Sequence, residues 1–237
     1  MKYKHIIGLV FLIILIDQAI KWYIKLNFEY QESVHVFGLK WFQLFFIENS
    51  GMAFGMKIMD STMGKTILTV FRLCAVGFGF FWLKQLVAKG LGNGAKICAA
   101  LILAGAAGNL VDSMFYGLWF DKGLAYVPAI NDYKDYYGMG VAKFAPGKGY
   151  AGLLHGSVVD MFYFPMVDTT WPSWVPFVGG NRLTFFDPIF NFADAAISTG
   201  IITLLVFQKR LLKPFLTKME AEKASKKAEE SSVSQNN

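Results

Sequence analysis

Three aspartates, Asp17, Asp112 and Asp194, lie in stretches of this chain apolar enough to cross a membrane. A fourth, Asp160, stands in the run Val158-Val159-Asp160-Met161-Phe162, ahead of the last such stretch. An ionised carboxylate in hydrocarbon is costly, so such residues face a bundle interior or a watery cavity, where they handle protons, ions or substrate. Spacing sorts them. Lys21 follows Asp17 by four residues, the favourable order for a helical ion pair. Asn109 precedes Asp112 by three and Asn191 precedes Asp194 by three, so each amide shares a helix face with its acid. Asp160 and Asp194 have no basic residue nearby in sequence. Two carboxylates held close share one proton: one acts as base on a water, the other as acid toward the substrate.

The rest of the chain must bring these groups together. Its 237 residues are 54% hydrophobic and 17% charged, with mean hydropathy +0.40, which fits a one-domain polytopic membrane protein rather than a soluble one. The net charge of +6 comes from Lys and Arg gathered beside apolar segments, a membrane-orientation pattern rather than a nucleic-acid surface. His5, His35 and His155 are scattered with no metal-ligand spacing, so neither a metal nor another cofactor is expected. Cys74 and Cys98 read as small buried hydrophobes, not a disulfide.

Four stretches reach the roughly 20 residues a bilayer core requires, near 6–25, 66–84, 96–118 and 188–208. The first resembles a signal peptide but lacks a small-residue cleavage site, so it is read as a retained helix. Lys2 and Lys4, then Lys84, Lys89 and Lys96, then Lys209, Arg210 and Lys213 mark one side, which places both termini in the cytoplasm. The longer loops 26–65 and 119–187 then lie outside. In that frame Asp17 is about 12 Å, and Asp112 and Asp194 about 9 Å, from the outer helix ends, with Arg72 at similar depth. Asp187-Pro188 reads as an N-cap and first-turn proline opening the fourth helix. Ala100, Ala104 and Gly108 form a small-residue stripe for close helix approach. Val36–Ile47 is expected to form a small sheet ending in a turn at Glu48-Asn49-Ser50-Gly51. Trp171 and Trp174 suit the membrane interface. Residues 214–237 are expected to form a polar cytoplasmic tail, solvated or frayed from about Glu220 onward.

At these residues the chain resembles the lipoprotein signal peptidases, or signal peptidase II. Five blocks carry the resemblance in order: Asp17-Gln18-Ala19-Ile20-Lys21, Asn49-Ser50-Gly51-Met52-Ala53-Phe54-Gly55, Gly108-Asn109-Leu110-Val111-Asp112, Val158-Val159-Asp160-Met161, and Phe190-Asn191-Phe192-Ala193-Asp194-Ala195-Ala196-Ile197. The resemblance implies an aspartyl endopeptidase of the bacterial inner membrane. It would act on diacylglyceryl-modified prolipoproteins, cutting before the lipidated cysteine, with membrane lipid as its other partner and no nucleic acid. Asp160 and Asp194 map onto the family's catalytic dyad. Asp17, Lys21, Asn49, Gly51, Asn109, Asp112 and Asn191 map onto positions that support the site or hold substrate. The fold implied is an all-α integral membrane protein, monomeric, residues 1–213 forming one domain of four transmembrane helices with a small extracytoplasmic β-sheet.

Three departures stand out. Ser113 occupies the place of the family's usual Arg, so that charge comes from elsewhere, with Arg72 a candidate, or is not needed. Met161 replaces a Phe, a volume-tolerant change. The link from Asp112 to Asp160 is long. Its insertion, about 119–155, is Tyr- and Gly-rich with no helical period, and is expected to be irregular or short extended structure. A lid over the site, a partner surface or a passive insertion are the alternatives for it. The rival function is a proton- or cation-coupled transporter, against which stand the missing internal repeat and the single level of the acids.

Overall fold

In the computed structural model the chain is described over residues 1–50, 62–130, 132–185 and 187–235. Gly51 and the motif residues that follow it, 52–55, therefore lie outside the described residues, while Asn49 and Ser50 lie within them. The molecule is mostly helical, with a small antiparallel sheet at one end of the bundle. Helix α1 spans Tyr3–Asn27 and ends at Phe28, whose N–H closes the last turn on the Ile24 carbonyl at 2.9 Å. Helix α2 runs Thr62–Ala88, and the Gly90-Leu91-Gly92 turn leads into α3, Asn93–Val111. A π-turn, Asp112–Tyr116, continues α3 into the short α4, Gly117–Trp119. Among the described residues, three helical stretches are long and apolar enough to cross a membrane: Tyr3–Asn27, Thr62–Ala88 and Asn93–Trp119.

The fourth expected span differs. Helix α5 covers only Phe192–Val206 and is bent by 69° from α6, Gln208–Gln235, so the pair counts as a fourth span only if the break is included. Its start is not at Asp187-Pro188. Residues Ile189–Phe190 stay extended as strand β8, and Asn191 caps the helix instead. Pro188 fits that extended backbone, and Asp187 accepts a hydrogen bond from the Tyr163 hydroxyl at 2.7 Å. The end expected to be solvated or frayed from about Glu220 is helical through Gln235; ahead of it Pro214 lies in the second turn of α6 and Phe215 is buried against the bundle.

Strands β1 (Ser33–His35), β2 (Gln43–Asn49), β5 (Val158–Tyr163) and β8 form one antiparallel sheet in the order β1-β2-β5-β8. Glu48 and Asn49 are thus strand residues, not a turn. The register sets Ile47 opposite Asp160 and Asn49 opposite Val158. A strand points alternate side chains to opposite faces, so Asp160 and Asn49 share one face while Glu48 and Val159 share the other. That second face is covered by the insertion, which holds the hairpin β3 (Ala125–Val127) and β4 (Asp132–Lys134). Phe120, Tyr136, Val159 and Met161 pack there with Ile24 and Phe46. A third hairpin, β6 (Val167–Thr170) with β7 (Arg182–Phe185), carries the exposed Trp174 and Phe177 between its strands.

Helix α3 packs against α1, α2 and α5. A Cβ at Gly105 would collide with the Ala193 carbonyl oxygen, and one at Gly108 would come within 2.7 Å of the Asp17 carboxylate. Glycine at these two places lets α5 and α1 approach the α3 backbone closely. Of the two cysteines, Cys98 is buried and Cys74 exposed, and both are free thiols.

Candidate active site

The acids separate into a sealed group and an open pair. Lys21, fully buried, bonds Asp17 at 2.9 Å and Asp112 at 2.8 Å, and its third donor goes to Asn109 Oδ1 at 2.8 Å. One ammonium thus spends all three protons on three partners. Gln18 donates to Asp112 Oδ1 at 2.8 Å and takes the Tyr116 hydroxyl at 3.0 Å. Asp17 also accepts the Ala193 N–H at 2.9 Å, so a carboxylate from α1 satisfies an otherwise orphan donor in the first turn of α5. Asp112 reaches the Val159 N–H at 3.3 Å, which ties α3 to the strand that carries Asp160.

The π-turn at Asp112 loosens the regular helical ladder. Segment 151–156 supplies the missing donors: the N–H groups of Ala151, Leu154 and Gly156 bond the carbonyls of Gly117, Met114 and Ser113 at 2.9–3.1 Å. The exit of the insertion therefore clamps the backbone around Asp112.

Asp160 and Asp194 open on one cavity of about 510 Å³ between α2, α3 and α5, which Asn49, Arg72 and Asn109 also line. Asn191 and Asn109 join the two acids. Asn191 donates to Asp160 Oδ1 at 2.6 Å, and Asn109 donates to Asp194 Oδ1 at 2.8 Å. Both amides are oriented by groups that can only donate: Lys21 on Asn109 Oδ1, and the Asp194 N–H on Asn191 Oδ1 at 2.9 Å. Asn191 and Asp194 together form the capping box of α5. Asp160 is 3% exposed, and burial, with the neighbouring charge of Asp194 second, pushes its carboxyl up to about 7.

Of the residues singled out from sequence, the structure brings Asn49, Asn109, Asp160, Asp194 and Asn191 to the cavity or its wall. Asp17, Lys21 and Asp112 sit behind it. Arg72 Nη1 stands 3.4 Å from Ser113 Oγ, with Asp194 among its electrostatic neighbours, so a guanidinium from α2 lies beside Ser113. The insertion adds no residue to the described lining of this cavity.

Sequence reasoning missed a second buried ion pair. Lys25 of α1 meets Glu48 of β2, which also accepts the Tyr136 hydroxyl at 2.7 Å and the Leu124 N–H at 2.8 Å. The rings of Phe120, Tyr136 and Tyr150 surround the Lys25 ammonium at 5.2–5.4 Å. Burial and the adjacent carboxylate push the Tyr136 phenol well above its usual range, keeping it a donor. The signal was the four-residue spacing Asp17, Lys21, Lys25, one helix face of charge in an apolar run.

The fold is a bundle of long apolar helices closed by a sheet, as in a membrane protein, with two carboxylates, Asp160 and Asp194, opening on one cavity. The model of the family described as Signal peptidase (SPase) II matches residues 9–209. A lipoprotein signal peptidase of Porphyromonas gingivalis is 41% identical over 208 residues, covering 87% of this chain and 84% of that one. One of Amoebophilus asiaticus is 33% identical over 208 residues, covering 86% and 76%. A solved structure described as a bacterial membrane enzyme at 2.3 Å resolution shares the fold, with TM-score 0.50, 18% identity, and 87% and 88% of the two chains covered. The chain belongs to the signal peptidase II family of membrane proteases.

Proposed function

We propose that the chain removes signal peptides from diacylglyceryl-modified prolipoproteins, cutting before the lipidated cysteine by aspartyl chemistry. The observation that carries this reading is that Asp160 and Asp194 share one cavity, while Asp17 and Asp112 are sealed by Lys21. Asp160, buried and raised to about 7, carries the dyad's proton below that pH and shares it about evenly with solvent at neutral pH. Asp194, the more exposed acid, takes a proton from water as the oxygen attacks the scissile carbonyl. Asp160 gives its proton to the carbonyl oxygen. When the tetrahedral diol collapses, Asp194 protonates the leaving amine and Asp160 recovers its proton. The two titrate as one unit. The reaction as written uses neither metal nor organic cofactor. Arg72 places a positive charge at the cavity, in the role of the Arg that Ser113 replaces.

In this reading α1, α2, α3–α4 and the broken α5–α6 pair cross the inner membrane as four spans. Both termini face the cytoplasm, and the sheet, insertion and dyad sit at the outer face. The protein works as a monomer, with Phe11, Leu15, Phe71, Phe78 and Trp82 exposed to lipid. The substrate peptide enters sideways from the bilayer, with its scissile bond at the depth where water still reaches the acids.

The test is cleavage of a diacylglyceryl-modified prolipoprotein by purified Asp160→Asn and Asp194→Asn proteins. Each is expected to lose at least about 10³-fold in kcat. Normal turnover by either folded variant ends the aspartyl reading, and Asp194-dependent ion flux in liposomes would revive the transporter.

A further inference from the structure

Lys65 lies in the first turn of α2, seven residues before Arg72. Seven residues are about two helical turns, so both side chains leave one face, about 10.5 Å apart along the axis. Arg72 lines the dyad cavity, whereas Lys65 lines a separate cavity of about 360 Å³ between α2 and the insertion.

Lys65 is 2% exposed. Its ammonium donates to the Ser50 carbonyl at 2.7 Å and lies 5.9 Å from the Tyr133 ring centre, and among the described residues it forms no ion pair. Buried ammonium groups are ordinarily paired. The acid that acts on it electrostatically, Glu48, is already committed to Lys25, Tyr136 and the Leu124 N–H. Tyr126 and Tyr133, paired across the β3–β4 hairpin with rings 5.5 Å apart, form an aromatic wall. His155 completes the cavity, its Nε2 held by Thr66 Oγ1 at 3.0 Å. A walled-in ammonium with one donor spent on a carbonyl suits a carboxylate, which accepts the others.

The two cavities are lined by different residues but are linked through neighbours in sequence. Asn49 and Val158 line the dyad cavity, while Ser50 bonds Lys65 and the Ser157 N–H bonds the Tyr150 hydroxyl at the second cavity. We propose that the Lys65 cavity is a specificity subsite for an acidic side chain of the prolipoprotein, about three residues beyond the scissile bond. This rests on the peptidase reading, in which the mature part of the substrate leaves the dyad toward the outer end of α2. An extended chain advances about 3.3 Å per residue, so about three residues span the 10.5 Å from Arg72 to Lys65.

The experiment uses the purified full chain and diacylglyceryl-modified prolipoproteins carrying Glu, Gln or Lys at mature position 2, 3 or 4, the lipidated cysteine being position 1. Glu is expected to exceed Gln by about tenfold in kcat/KM at one of these positions, with Lys lower still. Lys65→Met brings the Glu/Gln ratio close to one, and Lys65→Arg keeps it above one. Equal cleavage of all substrates by the unaltered protein overturns the subsite and leaves the peptidase reading standing, as does a Glu preference that survives Lys65→Met. Failure to cleave any of them strikes the peptidase reading itself. Should Lys65→Met not fold, the charge series and Lys65→Arg decide the matter.

Discussion

Asn191 donates from Nδ2 to Asp160 Oδ1 at 2.6 Å while its own Oδ1 accepts the Asp194 N–H at 2.9 Å. One side chain therefore caps α5 and spaces the two acids. Asn191→Ala should lower kcat by about 10²-fold, because Asp160 loses its orienting donor, and should cost about 1 kcal/mol as a lost cap. Asn191→Ser keeps a capping oxygen but cannot reach as an amide does. It should recover most of the thermal stability and little of the activity, read by melting in detergent beside turnover.

The raised Asp160 carboxyl gives a pH prediction with a definite sign. A carboxyl held at about 7 in the fold, against about 4 unfolded, stabilises most below pH 4, and that contribution is lost as pH rises through 7. Cleavage should fall above about pH 7 as the dyad's proton leaves. Asp160→Asn should melt higher than the unaltered protein at pH 8, by about 5 °C, and the gap should close toward pH 5. Parallel melting curves across pH 5–8 would remove Asp160 as the titrating group.

Lys21 serves three acceptors, so Lys21→Met leaves Asp17 and Asp112 buried without their cation. The expected loss is about 3–5 kcal/mol. Adding Asp112→Asn should restore part of it, since one of the stranded charges is gone, and the non-additivity is measurable as a double-mutant cycle in melting temperature.

Gly105→Leu should force α5 from α3, because the Ala193 carbonyl already fills the space of a Cβ. Ala193 is the residue whose N–H binds Asp17, and Asp194 follows it. Turnover should drop by more than about tenfold together with melting temperature. The same substitution at Gly77, where no atom lies within 4 Å of a Cβ, should leave both within error.

The insertion shows where local reading stops. Its lack of helical period was legible, and a short hairpin with irregular flanks is what formed. Its position was not legible. Phe120, Tyr136 and Tyr150 enclose Lys25 on the face of the sheet opposite Asp160, so this part of the segment braces the sheet from behind, and the segment adds nothing to the described lining of the dyad cavity. Asp187-Pro188 satisfies the local capping rules for the start of α5, but pairing of Ile189–Phe190 with β5 holds that stretch extended and moves the start to Phe192.

By itself the sequence determined what helix pitch and apolar length control: the three long helices and the pairing of Asp17 with Lys21. The three-residue spacing of Asn191 and Asp194 was there too, but it forms a capping box with Asn191 extended ahead of α5, not a shared helix face. Those relations hold within one turn or one run of chain, so spacing is enough. The tertiary structure decided the rest. Asp160 faces the cavity because β5 pairs in one register with β2, and a slip of one residue would turn it toward the insertion. It meets Asp194 because glycines in α3 let α5 close on the bundle, and Lys21 serves Asp112 across helices for the same reason. Such partners are distant in sequence, and their meeting depends on how surfaces fit rather than on any spacing the chain displays.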